Sequence, residues 1–193
     1  MLHHNRRTFV RTAGAATILA TSGYGARAQD APLEAARIVT GFAPGGTSDI
    51  LCRRVADVMR NGTFAKNVTV DNKTGGGGQL AIQSLKGAAT DGSVILQTPS
   101  AMVTIYPHIY KKLAYNPLTD LVPVTLASEY EFGLAVGPSV PATVKTVPEF
   151  QKWCKANPAQ ANFGSPAAGS VPHFIGVLLG VAAGVEMKHV AYR

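Results

Sequence analysis

The chain has little cysteine. Cys52 and Cys154 lie far apart, with no C-x-x-C pair, which excludes a disulfide framework and a thiolate metal cluster. Both fall in helical patterns in separate parts of the chain, so two separate thiols, buried or partly buried, are expected even in a compartment that permits a bridge. Long apolar runs are also missing: spanning a bilayer takes about 20 consecutive, predominantly apolar residues, and no segment supplies them. Beyond the N-terminal segment there is no Lys/Arg run and no interleaving of basic and aromatic residues, so nucleic-acid binding has little support. His173 and His189 each lack a second histidine at metal-ligand spacing. Ser165 and Ser170 lie outside a G-x-S-x-G elbow, and no Ser-His-Asp order is readable. No catalytic residue, cofactor or metal is therefore expected.

The N-terminus carries a different signal. Asn5-Arg6-Arg7-Thr8-Phe9-Val10-Arg11 is a basic start with a twin arginine, residues 12–20 are weakly apolar, and Ala26-Arg27-Ala28 is a small-residue cleavage site. That order is the layout of a twin-arginine export signal over residues 1–28, against the competing reading of a buried N-terminal helix. A mature chain starting near Gln29 is expected in the periplasm, without stable membrane insertion. Removing these residues takes away Arg6, Arg7, Arg11 and Arg27 and no acid, so the formal charge falls from +7 to +3. A mild positive excess suits an anionic solute, although bulk charge says little about a pocket.

Along the mature chain, short apolar runs alternate with helical periodicity. Residues 37–42, 68–70 and 93–97 read as buried strands. Ser48-Asp49 reads as a cap before Ile50, Leu51, Val55, Val58 and Met59, which share one helical face. A glycine-rich loop over residues 71–78 leads into a helix over 79–87. This alternation predicts an α/β fold with a mostly parallel sheet flanked by helices. Residues 106–123, with Pro107, Pro117 and Pro123, read as an irregular connection containing one helical turn. Residues 121–127 and 132–136 read as strands that mark the passage from a first lobe, 29–125, to a second, 126–193. A helix opening at Thr146-Val147-Pro148-Glu149, a strand end at 162–165, a helix over 171–183 and a strand over 185–190 follow.

Three loops share one design, a strand emptying into small or hydroxyl residues before a helix: residues 43–49, 98–101 and 164–170. In parallel sheets such loops gather outside the carboxyl ends of the strands, where ligands bind. Helix N-termini there offer free N–H groups and partial positive charge, which suit an anion without needing arginine. Any single loop reads equally well as a connector; together the three favour binding. Asp49 reads either as a ligand contact or as a helix cap. The run Thr74-Gly75-Gly76-Gly77-Gly78 lacks the Gly-Lys-Ser/Thr ending of a phosphate cradle and reads as a tight, close-packed connector. Trp153 reads as core.

The motifs resemble, in order, those of the receptors of tripartite tricarboxylate transporters, also called Bug receptors. They are Phe42-Ala43-Pro44-Gly45-Gly46-Thr47-Ser48-Asp49 with Arg53, Val70-Asp71-Asn72-Lys73-Thr74 with its four glycines, Thr90-Asp91-Gly92-Ser93, Tyr110 through Leu121, Phe163-Gly164-Ser165-Pro166-Ala167-Ala168-Gly169-Ser170 with His173, and His189-Val190-Ala191-Tyr192-Arg193. Cys52 stands where alanine is usual, and Gly78-Gln79-Leu80-Ala81 lacks a further glycine. The resemblance implies a two-lobed, hinge-closing periplasmic-binding-protein-like fold of type II. It further implies a monomeric receptor that delivers a small organic carboxylate or dicarboxylate to membrane permease subunits. Carried over, it places Pro44, Gly45, Gly46, Thr47, Ser48 and Asp49, then Thr98 and Ser100, then Ser165, Ala168, Ser170 and His173 along the cleft. Family members continue past the His-Tyr segment, so an incomplete second lobe, reduced stability and poor ligand binding are expected of this chain. An exported α/β hydrolase or transferase, and a receptor-fold sensor without a transport role, are the alternative functions.

Overall fold

The computed structural model describes residues 32–192. The export signal read at residues 1–28 lies outside them.

The first sheet has three parallel strands, β1 (Ala36–Thr40), β2 (Val68–Asn72) and β3 (Val94–Gln97), in the order β2-β1-β3. Ile38 pairs with Val70 on one face and Val39 with Leu96 on the other, so the central strand is apolar on both sides. Helix α1 (Thr47–Asn61) covers the first face: Cys52 and Ala56, one turn apart, pack with Val55 and Met59 against Ala36, Ile38, Ala65 and Val68. Ile50 and Val58, assigned to that face in sequence, are exposed instead. The second face is covered by α2 (Gln79–Gln83) and two short helices, α3 (Ala101–Thr104) and α4 (Tyr106–Ile109), through Ile82, Met102, Tyr106 and Tyr115. The helix expected over 79–87 is therefore shorter, and the irregular connection over 106–123 holds the one helical turn expected of it, α4.

The second sheet pairs β4 (Asn162–Ser165) with β5 (Lys188–Ala191) in parallel. Helices α5 (Val147–Ala156) and α6 (Val171–Ala183) pack beside it. A capping box opens α5: the Thr146 hydroxyl accepts from the Glu149 amide, while the Glu149 carboxylate accepts from the Thr146 amide. Trp153 stacks on Phe150 in the core beneath, and Cys154 is buried there; Cys52 and Cys154 are both free thiols. Gly184, at φ 62°, ends α6, with Val185 N–H donating to Gly180 O and Gly184 N–H to Val181 O. This double closure takes Val185 out of the expected final strand, which starts only at Lys188.

The strands expected over 121–127 and 132–136 do not form. Val122, Val124, Leu126, Tyr130, Phe132, Leu134 and Val136 fall on alternate positions, yet all are exposed. A period of two specifies a strand only when a neighbour completes the backbone ladder, and no described strand lies beside this segment.

Candidate functional site

A sheet of order β2-β1-β3 has its topological switch between β1 and β3, so its crevice opens outside the carboxyl ends of those strands. The loop after β1 turns sharply at Gly45, where φ is 85°. Gly46, not Ser48, is the N-cap of α1, and Ile50 N–H is the first in the helix to reach a carbonyl, that of Gly46. The amides of Thr47, Ser48 and Asp49 thus form the open, positive end of a 15-residue helix.

Asp49 is buried and holds this loop together from within. One carboxylate oxygen accepts from Gly45 N–H and Arg53 Nε, both at 2.9 Å, and the other accepts from Asn72 Nδ2 at 3.0 Å. Asn72 also donates to Phe42 O at 2.9 Å. The Arg53 hydrogen bond, then that of the Gly45 amide, holds the Asp49 carboxyl down at about 2 against the opposing effect of burial. Both oxygens accept from protein donors, so Asp49 shapes the loop. The loop after β3 also lies between a strand and a helix, as expected. Thr98 turns its hydroxyl to Met102 Sδ at 2.7 Å, Ser100 is exposed, and α3 has only four residues, too few for a sizeable dipole.

The loop after β4 is built around carbonyls and two imidazoles. Ala167 O accepts from Ser170 Oγ at 2.7 Å and from Ser165 Oγ at 3.2 Å. Ser170 caps the 13-residue helix α6 and accepts from the His173 amide. Gly169, at φ 81°, donates its N–H to His173 Nδ1 at 3.0 Å. Ser165 Oγ lies 2.7 Å from His189 Nε2, and the His173 and His189 rings are 4.0 Å apart with Phe163 beside both. Burial, and then the neighbouring His173, push His189 below the usual imidazole range.

The glycine-rich loop, read in sequence as a connector, joins these parts. A Cβ placed on Gly41 would meet Gly78 Cα at 2.5 Å, and one on Gly77 would meet Ala167 Cβ at 3.5 Å. Tyr106, fully buried, aims its hydroxyl at Gly77 O (3.2 Å) and Ala168 O (3.4 Å), and Tyr110 reaches Ala168 O at 3.4 Å. Burial raises the Tyr106 hydroxyl to about 12, so it stays a donor throughout the physiological range. Tyr106→Phe is expected to cost about 1 kcal/mol and to release the second loop, measured as faster amide exchange at Gly169 and Ser170. An open groove of about 420 Å³ lies elsewhere, between α1 and β2, lined by Arg53, Ala56, Asp57, Arg60 and Val68 to Val70.

Residues 40–193 match the family described as tripartite tricarboxylate transporter family receptor. The chain belongs to this family. It is 32% identical over 193 residues to the UPF0065 protein in the gbd 5' region of Cupriavidus necator, covering 97% of this chain and 58% of that protein. Protein BugT of Bordetella pertussis is 26% identical over 186 residues, covering 96% and 54%. Among solved structures, R. palustris Rpa4515 with adipate superposes with a TM-score of 0.69 at 26% identity, over 82% of this chain and 52% of that one. The periplasmic binding protein BugD superposes with a TM-score of 0.65 at 27% identity, over 81% and 51%. The chain thus spans about half the length of the relatives it matches, and over that half it shares the α/β periplasmic-binding-protein fold.

Within this receptor frame, the expected site residues of the loops after β1 and β4 divide into three groups. Pro44, Gly45, Gly46 and Thr47 are exposed on the rim of the first loop, with Ser48 half-buried beside them. Ala168 is exposed, and Ser170 and His173 are half-buried, on the second loop. Asp49 and Ser165 are buried and act on loop shape. Sequence reasoning missed Asn72, Tyr106 and the approach of His189 to Ser165. None had a local signal; the last follows only from the parallel pairing of β4 with β5, which places His189 beside Phe163, two positions before Ser165 on the neighbouring strand.

Proposed function

We propose that this chain is the ligand-capturing part of an exported receptor that takes a small carboxylate or dicarboxylate in the periplasm and passes it to permease subunits, without catalysis. The observation that carries the reading is the pairing of an open α1 N-terminus with the Ser170-capped start of α6, on loops tied together through Gly41, Gly77, Gly78 and Tyr106. The acid nearest this rim, Asp49, is neutralised by Arg53 and turned inward, so it does not repel an anion. Adipate in the related R. palustris structure supports the ligand class. A twin-arginine start and A-x-A site support export over residues 1–28, and no helix among the described residues is long and apolar enough to cross a membrane. Residues 29–125 and 126–193 are read as parts of a first and a second lobe.

The Ser165–His189 contact is the one feature that favours a hydrolase instead. Ser165 is buried, however, its hydroxyl also lies on Ala167 O, and among the described residues no carboxylate hydrogen-bonds His189. Neither an exposed nucleophile nor an orienting acid is in place. The test is a nuclear magnetic resonance titration of the chain with adipate. Amide signals of Gly45, Gly46, Thr47, Ser170 and Val171 are expected to shift together, with weak affinity, while simple esters stay unhydrolysed. Unmoved loop amides at saturating adipate would sink the receptor reading.

A further inference from the structure

The contact between Gly169 and His173 has a chemical peculiarity. In a carboxylate-binding loop, backbone N–H groups are the donors a ligand needs, yet the Gly169 N–H is already taken by an imidazole nitrogen of the same loop at 3.0 Å. That nitrogen accepts only while it is unprotonated, which requires the neutral ring with its proton on Nε2. Gly169 sits at φ 81°, a conformation that fixes the direction of its N–H and that other residues adopt with strain. The His173 amide is in turn tied to Ser170 Oγ, which fixes the backbone from which the ring reaches Gly169.

We propose that His173 is a pH-sensitive latch on this loop: neutral, it occupies the Gly169 N–H as an internal acceptor, and protonated at Nδ1, it gives that N–H up to a carboxylate. The proposal rests on the carboxylate reading above and adds the regulation of the same site. Protonation acts twice in one direction. It removes the competing acceptor, and it sets a cation beside a loop that has no Lys or Arg of its own.

The surroundings favour such a device. His189, 4.0 Å away on β5, is the titratable group that faces the ring, and its Nε2 is engaged with Ser165. Lys188, the other charged residue of β5, precedes His189 and so projects to the opposite side of the strand, where it is exposed. Strand β4 brings only Ser165 and Phe163, and α6 carries no other ionisable side chain. Tyr106 and Tyr110 direct their hydroxyls to Ala168 O, and both rings lie against Gly169 itself. Among the described residues no Asp or Glu pairs with either imidazole, so no carboxylate of the chain competes with a ligand for this loop. Burial, and then His173 itself, push His189 below the usual imidazole range, which disfavours its charged form. A carboxylate and a proton therefore bind together. By linkage, affinity rises as pH falls, by at most about tenfold per pH unit for one linked proton.

The first test needs no ligand. Nitrogen-15 spectra of the wild-type chain at pH 8 should show His173 protonated at Nε2 alone, and the Gly169 amide signal should move with the His173 ring between pH 8 and 6. A ring carrying its proton on Nδ1 at pH 8, or a Gly169 amide indifferent to that titration, overturns the latch. The second test uses adipate. Wild type should bind more tightly at pH 6 than at pH 8. His173→Asn, whose amide oxygen can hold the Gly169 N–H at every pH, should bind weakly and without pH dependence. His173→Ala should bind without pH dependence and more tightly than His173→Asn at pH 8. Co-titration without adipate binding at any pH would defeat the receptor reading and leave the latch standing as a property of the loop. Adipate binding that ignores pH in wild type would leave the receptor reading and defeat the latch.

Discussion

Asp49→Ala is expected to destabilise the chain by about 3 kcal/mol, lowering its melting midpoint by on the order of 10 °C. The carboxylate it removes is buried at 2% exposure and accepts from three groups that have no other anion at hand. Gly45 N–H, on the rim, and Asn72 Nδ2, half-buried, would then lose a charged acceptor, whereas Arg53 is half in solvent and can rehydrate. The loss therefore falls mainly on the first loop and on the end of β2. A midpoint unchanged within 2 °C by scanning calorimetry would mean that the three donors find other partners and that the loop holds its shape without Asp49.

The same residue gives this stability a pH signature. Its folded carboxyl is held near 2 against an ordinary 3.8, so the folded state binds the proton less readily than the unfolded chain. A depressed carboxyl contributes stability that is complete above about pH 4 and disappears as pH falls through about 2. The linked contribution is about 2 kcal/mol at neutral pH. Asp49→Asn preserves the shape but has no charge to lose. The gap in unfolding free energy between wild type and this variant should close progressively from pH 4 to pH 2. A gap that stays constant across this window would show that charge plays no part in what Asp49 contributes.

Much of the architecture was legible because it rests on local pattern. Buried runs such as Arg37-Ile38-Val39-Thr40, followed by a glycine turn and a helical stripe, commit the chain to a parallel sheet with covering helices, and the sheet order then places the crevice. The start of α6 was legible for the same reason, since Ser170 before Pro172 is a local helix opening. What stayed hidden depends on long-range approach. Asp49 and Asn72 stand 23 positions apart, and Ser165 and His189 stand 24 apart, and neither spacing has a periodic signature. The misread segment at 122–136 fails in the opposite way. Its alternation is a strong local signal for a strand, but the ladder that would make it one belongs to a neighbour, which no periodicity reveals.

The glycine loop gained a role that composition had left open, and Gly41→Ala tests it. Gly41 is buried at the end of β1, where an added Cβ would stand 2.5 Å from Gly78 Cα and 3.0 Å from Gly78 O. Both are backbone atoms, so no side chain can swing aside and the two loops must part. Forcing a methyl group into such a contact costs about 2 kcal/mol. The larger effect is on the site, because Gly78 is held on its other side by Met102 and Phe42, and Gly77 next to it carries the Tyr106 bridge to Ala168. Displacing Gly78 therefore uncouples the loop after β1 from the loop after β4. Gly41→Ala should abolish the concerted adipate shifts at Gly45 and Ser170 while the chain remains folded by circular dichroism. Gly87→Ala serves as the comparison. Gly87, unlike Gly41, has positive φ, but a Cβ there meets nothing within 4 Å, so that variant should bear only the local backbone strain and leave the adipate response intact. If both variants respond to adipate alike, the close approach of Gly41 and Gly78 is packing alone, and the two loops do not act as one site.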